Sequence, residues 1–298
     1  MNPWVKRSGW TLLGVLVLAA ATVVGGRYLG DRKRARVVDV PVQPVAWAID
    51  TAGLERGRYL FQSRGCTDCH GTDGGGKEFI NDGNGMRIHG PNITLGGPVT
   101  AYTPENWVRL IRHGVKSNGR PAFLMPSEDY ARWTDQDVAA VVGYVRNLPI
   151  RIGGKTVIEL PLNVKILYGF GAIQDAYEKI DHSLPPAQPV PAAVSPEHGA
   201  YVAAMCIGCH GPGLAGGEIP GAPPNWPAAT NITSDAQSSM ARYPDSASFV
   251  QMLRSGKRPD GTAIQVMPFA SLRELNDVDA KALHAYLVTV PARPTGDR

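Results

Sequence analysis

The sequence has no cysteine outside two short motifs, and this scarcity excludes several kinds of site. Its four cysteines all lie in residues 66–70 (CTDCH) and 206–210 (CIGCH). No cysteine remains for a separate structural disulfide or a lone catalytic thiol. Convincing alternation of apolar and polar residues, which would indicate strands, is also missing. We therefore predict an all-α chain with much irregular structure, given its 34 glycines and 25 prolines among 298 residues.

Basic charge is scarce in the body of the chain, although the whole sequence carries a formal net charge of +4. Residues 1–36 hold seven of the 30 basic side chains and one of the 26 acidic ones. The remaining 262 residues therefore have a net charge of −2. A nucleic-acid-binding domain needs a basic face of its own, so the sequence predicts no nucleic-acid partner.

One long uncharged run, mostly apolar, extends over the 19 residues from Ser8 to Gly26. As a helix it would span roughly 28 Å, close to the thickness of the hydrocarbon core of a bilayer. We predict that residues 1–36 form a membrane anchor with a basic flank. The alternative is a signal peptide with its small-residue cleavage site at Ala19–Ala21. Residues 37–50 are expected to form a tether, which would leave the body near the membrane and free to reorient if it is flexible.

The rest of the chain is a duplication with an offset close to 142 residues. Some ten landmarks keep this offset, including Tyr59 with Tyr201, the Met-Pro pairs at 125 and 267, and Asp137 with Asp279. Two helical units are therefore expected. The predicted boundaries are 51–149 for unit one, 150–196 for an inter-unit linker, 197–292 for unit two, and 293–298 for a tail.

The Cys-x-x-Cys-His pattern is the attachment signature of c-type haem. Its two thiols form thioethers with the porphyrin vinyl groups, and the histidine that follows binds the iron. Zinc binding is a weaker alternative because it does not require a histidine at this position. A redox disulfide would predict a βαβ context, which is absent. We predict two covalently bound haem c groups, attached through Cys66, Cys69, Cys206 and Cys209, with His70 and His210 as axial iron ligands.

The second axial ligands are expected to be methionines. Met125 and Met267 follow the motif histidines by 55 and 57 residues, and each precedes a proline at the repeat offset. His113 is a rival, but its repeat partner is Ser255. Histidine–methionine ligation fills the coordination sphere of the iron, which favours electron transfer over catalysis. The chain is therefore predicted not to be an enzyme.

Two other recurring features have open interpretations. The segments 92–94 and 231–233 both read Asn-Ile-Thr, which matches the glycosylation pattern. We expect them instead to shape a loop over the haem edge or to bind a propionate. Arg112 and Arg254 are expected either to pair with propionates or to lie on a solvated helix face.

With these motifs, residues 51–149 and 197–292 resemble class I c-type cytochromes. More narrowly, they are similar to the haem units of membrane-bound cytochrome subunits that serve periplasmic alcohol, aldehyde and gluconate dehydrogenases. A diheme cytochrome that feeds a terminal oxidase is also similar in layout. The resemblance implies an N-terminal transmembrane helix followed by two tandem class I cytochrome c domains.

We therefore predict a membrane-anchored diheme cytochrome that passes single electrons on the periplasmic side of a bacterial cytoplasmic membrane. Its expected partners are electron donor and acceptor proteins: a quinol-oxidising complex, a dehydrogenase or a terminal oxidase. The alternatives are an obligate cytochrome subunit of such a dehydrogenase or oxidase complex, and a diheme peroxidase-like enzyme. Basic residues after the apolar run oppose this orientation under the positive-inside rule, but haem c chemistry requires it.

Overall fold

The computed structural model describes residues 3–223 and 225–297. Residues 1, 2 and 298, at the ends of the predicted anchor and tail, lie outside the described part, as do the side chains of residues 5 and 6. Helix α1 (Pro3–Ala35) contains the segment Arg7–Ala35, which is long and apolar enough to cross a membrane. Most of its side chains are exposed.

Unit one is built from helices whose ends follow local capping rules. Thr103 and Thr134 each accept a hydrogen bond from the backbone three residues later, and Gly114 ends a helix in the left-handed conformation with φ of 64°. The helices are α2 (Thr51–Ser63), α3 (Cys66–His70), α4 (Pro104–His113), α5 (Ser127–Tyr130) and α6 (Asp135–Arg146).

Unit two repeats this order with the same kinds of cap. Asp245 and Asn276 take the positions of Thr103 and Thr134. The helices are α8 (Pro196–Ala203), α9 (Ile207–His210), α10 (Ser246–Ser255), α11 (Phe269–Leu272) and α12 (Asp277–Leu287), with 3-10 turns at Ala204–Cys206 and Ser239–Arg242.

The first and last helices of each unit cross closely at a glycine. A Cβ atom at Gly57 would collide with the Ala140 carbonyl on α6, and one at Gly199 would collide with the Ala282 carbonyl on α12. Each crossing closes a separate apolar core. The glycine is required because any side chain would push the two helices apart.

A small antiparallel sheet corrects the all-α prediction to a helix-rich fold. It contains β1 (Glu78–Asn81), β2 (Arg87–His89) and β3 (Val157–Glu159) in the order β1-β2-β3. Ile88 pairs with Ile158, which belongs to the predicted linker. Strands of three or four residues are too short to show a period of two, and pairing across about 70 residues is a tertiary event.

Residues 37–50, the predicted tether, lie along unit one as a packed segment. The Val38 amide donates to the Gly119 carbonyl, and the Ala48 amide donates to the Ala139 carbonyl, both at 2.9 Å. The Arg146 guanidinium lies 4.0 Å from the centre of the Trp47 ring. Apolar side chains and backbone hydrogen bonds hold this segment, and composition alone does not reveal them.

The middle of the linker packs against α1 through helix α7 (Leu162–Gly169). Gly26 and Gly30 of α1 face α7: a Cβ atom at Gly30 would lie 2.5 Å from the Lys165 carbonyl oxygen. Beyond this contact, Lys33 Nζ lies 2.8 Å from a Glu178 carboxylate oxygen. Helix α1 is thus held against the linker by close packing and by charge.

Candidate haem-attachment sites

A cavity of about 70 Å³, open to solvent, lies inside unit two. Cys206, His210 and Met267 all line it, although 61 residues of sequence separate the first from the last. The remaining walls are mostly apolar and include Phe249 and Leu283. The fold therefore gathers a thiol, an imidazole and a thioether around one space with mostly apolar walls.

The two motif histidines are oriented in the same way. His70 Nδ1 lies 2.9 Å from the Pro91 carbonyl oxygen, and His210 Nδ1 lies 2.7 Å from the Thr230 carbonyl oxygen. A carbonyl only accepts, so each Nδ1 carries the proton and each Nε2 carries the lone pair. This tautomer is the one in which Nε2 ligates a metal, and the carbonyl sets the direction of the ring.

The Asn-Ile-Thr segments build the loop that supplies this carbonyl. Asn92 follows Pro91, and its Oδ1 accepts from both the amide and the hydroxyl of Thr94, at 2.9 and 2.7 Å. Asn231 and Thr233 repeat both bonds. Asn92 and Asn231 are buried, so the segments act as an internal brace for the histidine-orienting loop.

The predicted methionine ligands lie at equivalent places in the two units. Met125 packs against the core of unit one together with Cys66, and Met267 packs against the core of unit two. Val266, just before Met267, has a φ of 72°, a left-handed conformation that is costly for a β-branched residue. Such strain concentrates at functional loops, and the sequence did not indicate it.

Burial disfavours the charged form of three of the four motif thiols. It raises the pKa of Cys66 and of Cys206 to about 12 and that of Cys69 to about 11, with neighbouring acidic groups adding to the effect. Cys209 is exposed. Burial therefore favours the neutral thiol at Cys66, Cys69 and Cys206.

Unit one contains a buried donor that fits a haem carboxylate. Trp107 is 4% exposed, and its Nε1 has no hydrogen-bond partner among the described residues. Trp107 belongs to the same apolar core as Cys66 and Met125. An unpaired buried N–H is costly unless a ligand satisfies it, and a propionate would do so. Together with the donor set of unit two, this residue supports the fit of haem c to the chain.

The two recurring arginines bind protein groups. Arg112 is buried and donates to the Trp133 carbonyl and to Asp135 Oδ1. Arg254 contacts the Arg273 carbonyl and donates to Asp277 Oδ1. Both arginines anchor the approach to the last helix of their unit. The prediction of propionate pairing is not supported, and the solvated alternative is wrong for Arg112.

Other histidines have protein partners. His113, the rival ligand, has its Nδ1 2.9 Å from Nδ1 of His182 in the linker. His284 Nε2 donates to the Tyr243 carbonyl at 2.9 Å. His198 Nε2 lies 2.7 Å from Asp279 Oδ1. These contacts give each ring a role in packing the protein.

Recurring tyrosine and aspartate residues join the two units reciprocally. The Tyr59 hydroxyl of unit one donates to Asp279 Oδ2 of unit two at 2.6 Å. The Tyr201 hydroxyl of unit two donates to Asp137 Oδ2 of unit one at the same distance. Arg64 adds a contact of 2.5 Å to Asp279. The duplication therefore forms a face with approximate twofold symmetry.

The same face brings the two haem-attachment segments together. The Gly208 amide of one motif donates to Asp129 Oδ1 of the other unit at 2.9 Å. The Ser271 hydroxyl donates to Asp68 Oδ2 of the other motif at 2.9 Å. Asp129 and Ser271 each lie four residues after the predicted methionine ligand. Each attachment motif therefore contacts the short helix, α5 or α11, that follows the predicted methionine ligand of the other unit.

Paired Cys-x-x-Cys-His segments, carbonyl-oriented histidines and Met-Pro loops define a c-type cytochrome. A family model described as cytochrome c oxidase, cbb3-type, subunit III matches residues 52–145 and 196–287. The chain belongs to this family, and it contains two tandem cytochrome domains. Membership implies covalently bound haem c.

Similar proteins are named as cytochrome subunits. The fructose dehydrogenase cytochrome subunit of Gluconobacter japonicus is 28% identical over 285 residues, which cover 85% of this chain and 56% of that protein. The gluconate 2-dehydrogenase cytochrome c subunit of Pantoea cypripedii is 24% identical over 271 residues, covering 80% and 60%.

A cbb3-type cytochrome c oxidase subunit CcoP of Helicobacter pylori (strain 52) is 35% identical over 96 residues, 32% of this chain and 28% of that protein. The chain thus spans between about a quarter and about three fifths of the length of these relatives. The predicted resemblance to dehydrogenase cytochrome subunits is confirmed.

Proposed function

We propose that this chain is a membrane-anchored diheme cytochrome that transfers single electrons. The observation that carries the proposal is the placement of Cys206, His210 and Met267 around one mostly apolar cavity, repeated in sequence by Cys66, His70 and Met125. Cys69 and Cys209 complete the two attachment motifs. A haem c bound at each site supplies a one-electron couple at its iron.

Backbone carbonyls and apolar side chains fix the geometry and the polarity of the haem sites. The carbonyls of Pro91 and Thr230 hold the histidine rings in the metal-binding tautomer. The mostly apolar walls would lower the polarity around a haem bound there, which would disfavour its more highly charged oxidised state. The methionine loops supply a neutral, soft second ligand. A closed coordination sphere leaves no position for substrate, so the chain carries electrons rather than catalysing a reaction.

The test is an absorption spectrum of the dithionite-reduced protein, quantified for haem c before and after carbon monoxide. Two haems per chain and no shift with carbon monoxide are expected for the wild type. Met125→Ala and Met267→Ala should each open one haem to carbon monoxide and lower one potential. Met252→Ala is the matched control, because Met252 lines the same cavity as Met267 but has no counterpart in the repeat.

A single haem per chain, or an unchanged spectrum in both ligand variants, would contradict the proposal. A wild-type protein in which one haem binds carbon monoxide would point instead to the peroxidase-like alternative, because a peroxidase needs an open iron.

A second form of the proposal is that the chain works as a cytochrome subunit of a larger complex. It is supported by the dehydrogenase and oxidase subunits among its relatives. On this proposal the haem units lie on the periplasmic side of a bacterial cytoplasmic membrane, with α1 retained as the anchor. Co-purification of a cofactor-bearing dehydrogenase or oxidase through detergent would support it, and a chain that always purifies alone would contradict it.

A further inference from the structure

A second cavity lies where α1 meets unit one, and it shares no lining residue with the cavity around His210. It has a volume of about 260 Å³ and is open to solvent. Arg34 comes from the end of α1, Lys116 and Arg120 come from the turn after α4, and Tyr168 comes from α7. Two separated parts of the chain therefore bring three cationic side chains to one space, and a third part adds Tyr168.

None of these three cations forms an ion pair among the described residues. The one acidic side chain that lines the cavity is Asp31, which faces Arg27 at 3.9 Å. Burial lowers the pKa of Lys116, and the charges of Arg120 and Arg34 lower it further. An excess of like charge around a shared space is unfavourable until an anion enters it.

The neighbouring cations of α1 are treated differently. Lys33 lies 2.8 Å from Glu178, and Arg36 lies 2.8 Å from Asp175. Lys33 and Arg36, at the end of α1, therefore have acidic partners from the linker. Arg34 lines the cavity instead. Among the described residues, the cations that line the cavity thus lack acidic partners, whereas these neighbouring cations of α1 have them.

The position of the cavity selects a lipid as the anion. Arg34 lies eight residues beyond Gly26, where the uncharged run ends, which corresponds to about 12 Å along a helix, and its long side chain can reach back towards the bilayer. The headgroup layer outside the hydrocarbon core is roughly 5–8 Å thick. Helix α7, which packs on α1 and places Tyr168 in the cavity lining, exposes Leu162 and Leu167, and Phe170 follows it: they are 47%, 45% and 55% exposed. A free phosphate has no apolar group to cover this surface, whereas the acyl chains of a lipid would cover it.

We propose that Arg34, Lys116 and Arg120 bind the phosphate of an anionic phospholipid whose acyl chains lie against the exposed apolar side of α7. The proposal rests on the membrane-anchored part of the proposed function. Bound lipid would fix the distance between the haem units and the bilayer.

The test uses the full, haem-loaded chain purified in detergent and titrated with phosphatidylglycerol or phosphatidylcholine, with bound lipid read by native mass spectrometry. Phosphatidylglycerol should bind at least about tenfold more tightly. The double variant Lys116→Gln/Arg120→Gln should lose that preference, by about tenfold to thirtyfold, since each cation near a membrane contributes about 1 kcal/mol. Arg34→Gln should weaken the same site from the α1 side.

Arg32→Gln and Lys155→Gln are the matched controls, because both residues are exposed cations outside the cavity. An equal loss in the controls, or equal binding of the two lipids, would overturn the proposal. Displacement of phosphatidylglycerol by millimolar inorganic phosphate would identify a free-phosphate site and overturn the lipid assignment. The haem spectrum of the same samples separates the two proposals: an intact spectrum without lipid preference rejects the lipid site alone.

Discussion

Trp107 and Phe249 occupy the same position of the repeat, yet only the tryptophan has a polar atom. Its Nε1 is buried without a partner among the described residues, whereas Phe249 lines an apolar cavity wall. The asymmetry gives unit one a hydrogen-bond donor for a haem carboxylate that unit two lacks at this position. The two haem environments of the proposed carrier therefore differ, and so should their potentials.

Replacing Trp107 with Phe should lower the potential of the haem in unit one alone. Loss of the donor leaves more negative charge on the carboxylate, which favours the oxidised iron. We expect a shift of roughly 20–60 mV, given that 59 mV corresponds to a tenfold change for one electron. Potentiometric titration measures it, and the unchanged haem of unit two is the internal control. Equal shifts in both haems would reject the assigned role.

At the scale of elements, glycines decide how closely helices approach. Gly26 and Gly30 lie one turn apart on α1 and face α7, as in the small-residue faces of membrane helices. Gly25 is their neighbour, but a Cβ atom there would meet nothing within 4 Å. The spacing of glycines therefore marks the docking face of α1 only after the partner helix is known.

Gly30→Ala should loosen the contact between α1 and α7. The added methyl group would lie 2.5 Å from the Lys165 carbonyl oxygen, and overpacking of this kind costs about 1–3 kcal/mol. Amide hydrogen exchange in Leu162–Gly169 should become about tenfold faster or more. Gly25→Ala is the control and should leave the exchange rate unchanged; acceleration in both variants would contradict the packing explanation.

Across the whole molecule, the two duplicated units are not independent: they share an interface in which a tyrosine of each unit binds an aspartate of the other. Asp279 is buried and binds Tyr59 and Arg64 of the other unit as well as His198 of its own. Burial raises the pKa of Asp279, but the charge of Arg64 and these hydrogen bonds outweigh burial and lower it to about 2. The interface therefore depends on the ionised carboxylate.

Acid should weaken this interface over a defined range of pH. The folded-state pKa lies below the ordinary value near 3.9, so the stabilisation is complete above about pH 4 and is lost as the pH falls towards 2. Denaturant unfolding between pH 2 and 5 should show this loss, and Asp279→Asn should remove it. Asp277→Asn, an exposed change on the same helix, should keep it. A wild-type pH dependence in Asp279→Asn would contradict the role of Asp279.

Haem attachment was predictable from the sequence, because it depends on five consecutive residues in each motif. The Cys-x-x-Cys-His motifs, the recurring Met-Pro pairs and the Asn-Ile-Thr segments all stood out through the duplication. The helix caps Thr134 and Asn276 are local in the same way, because capping depends on a few consecutive residues. The family resemblance followed from the same motifs.

The amino-acid order by itself thus determined the cytochrome class, the helical units and the candidate ligands, since each depends on residues close together in the chain or repeated at one offset. Tertiary structure alone decided that Tyr59 reaches Asp279 rather than Asp137, and that Ile158 pairs with Ile88. It also decided that residues 37–50 pack on unit one. The reason is physical: such contacts join segments far apart in sequence, and their energy comes from burial and charge pairing that exist only once the chain has folded.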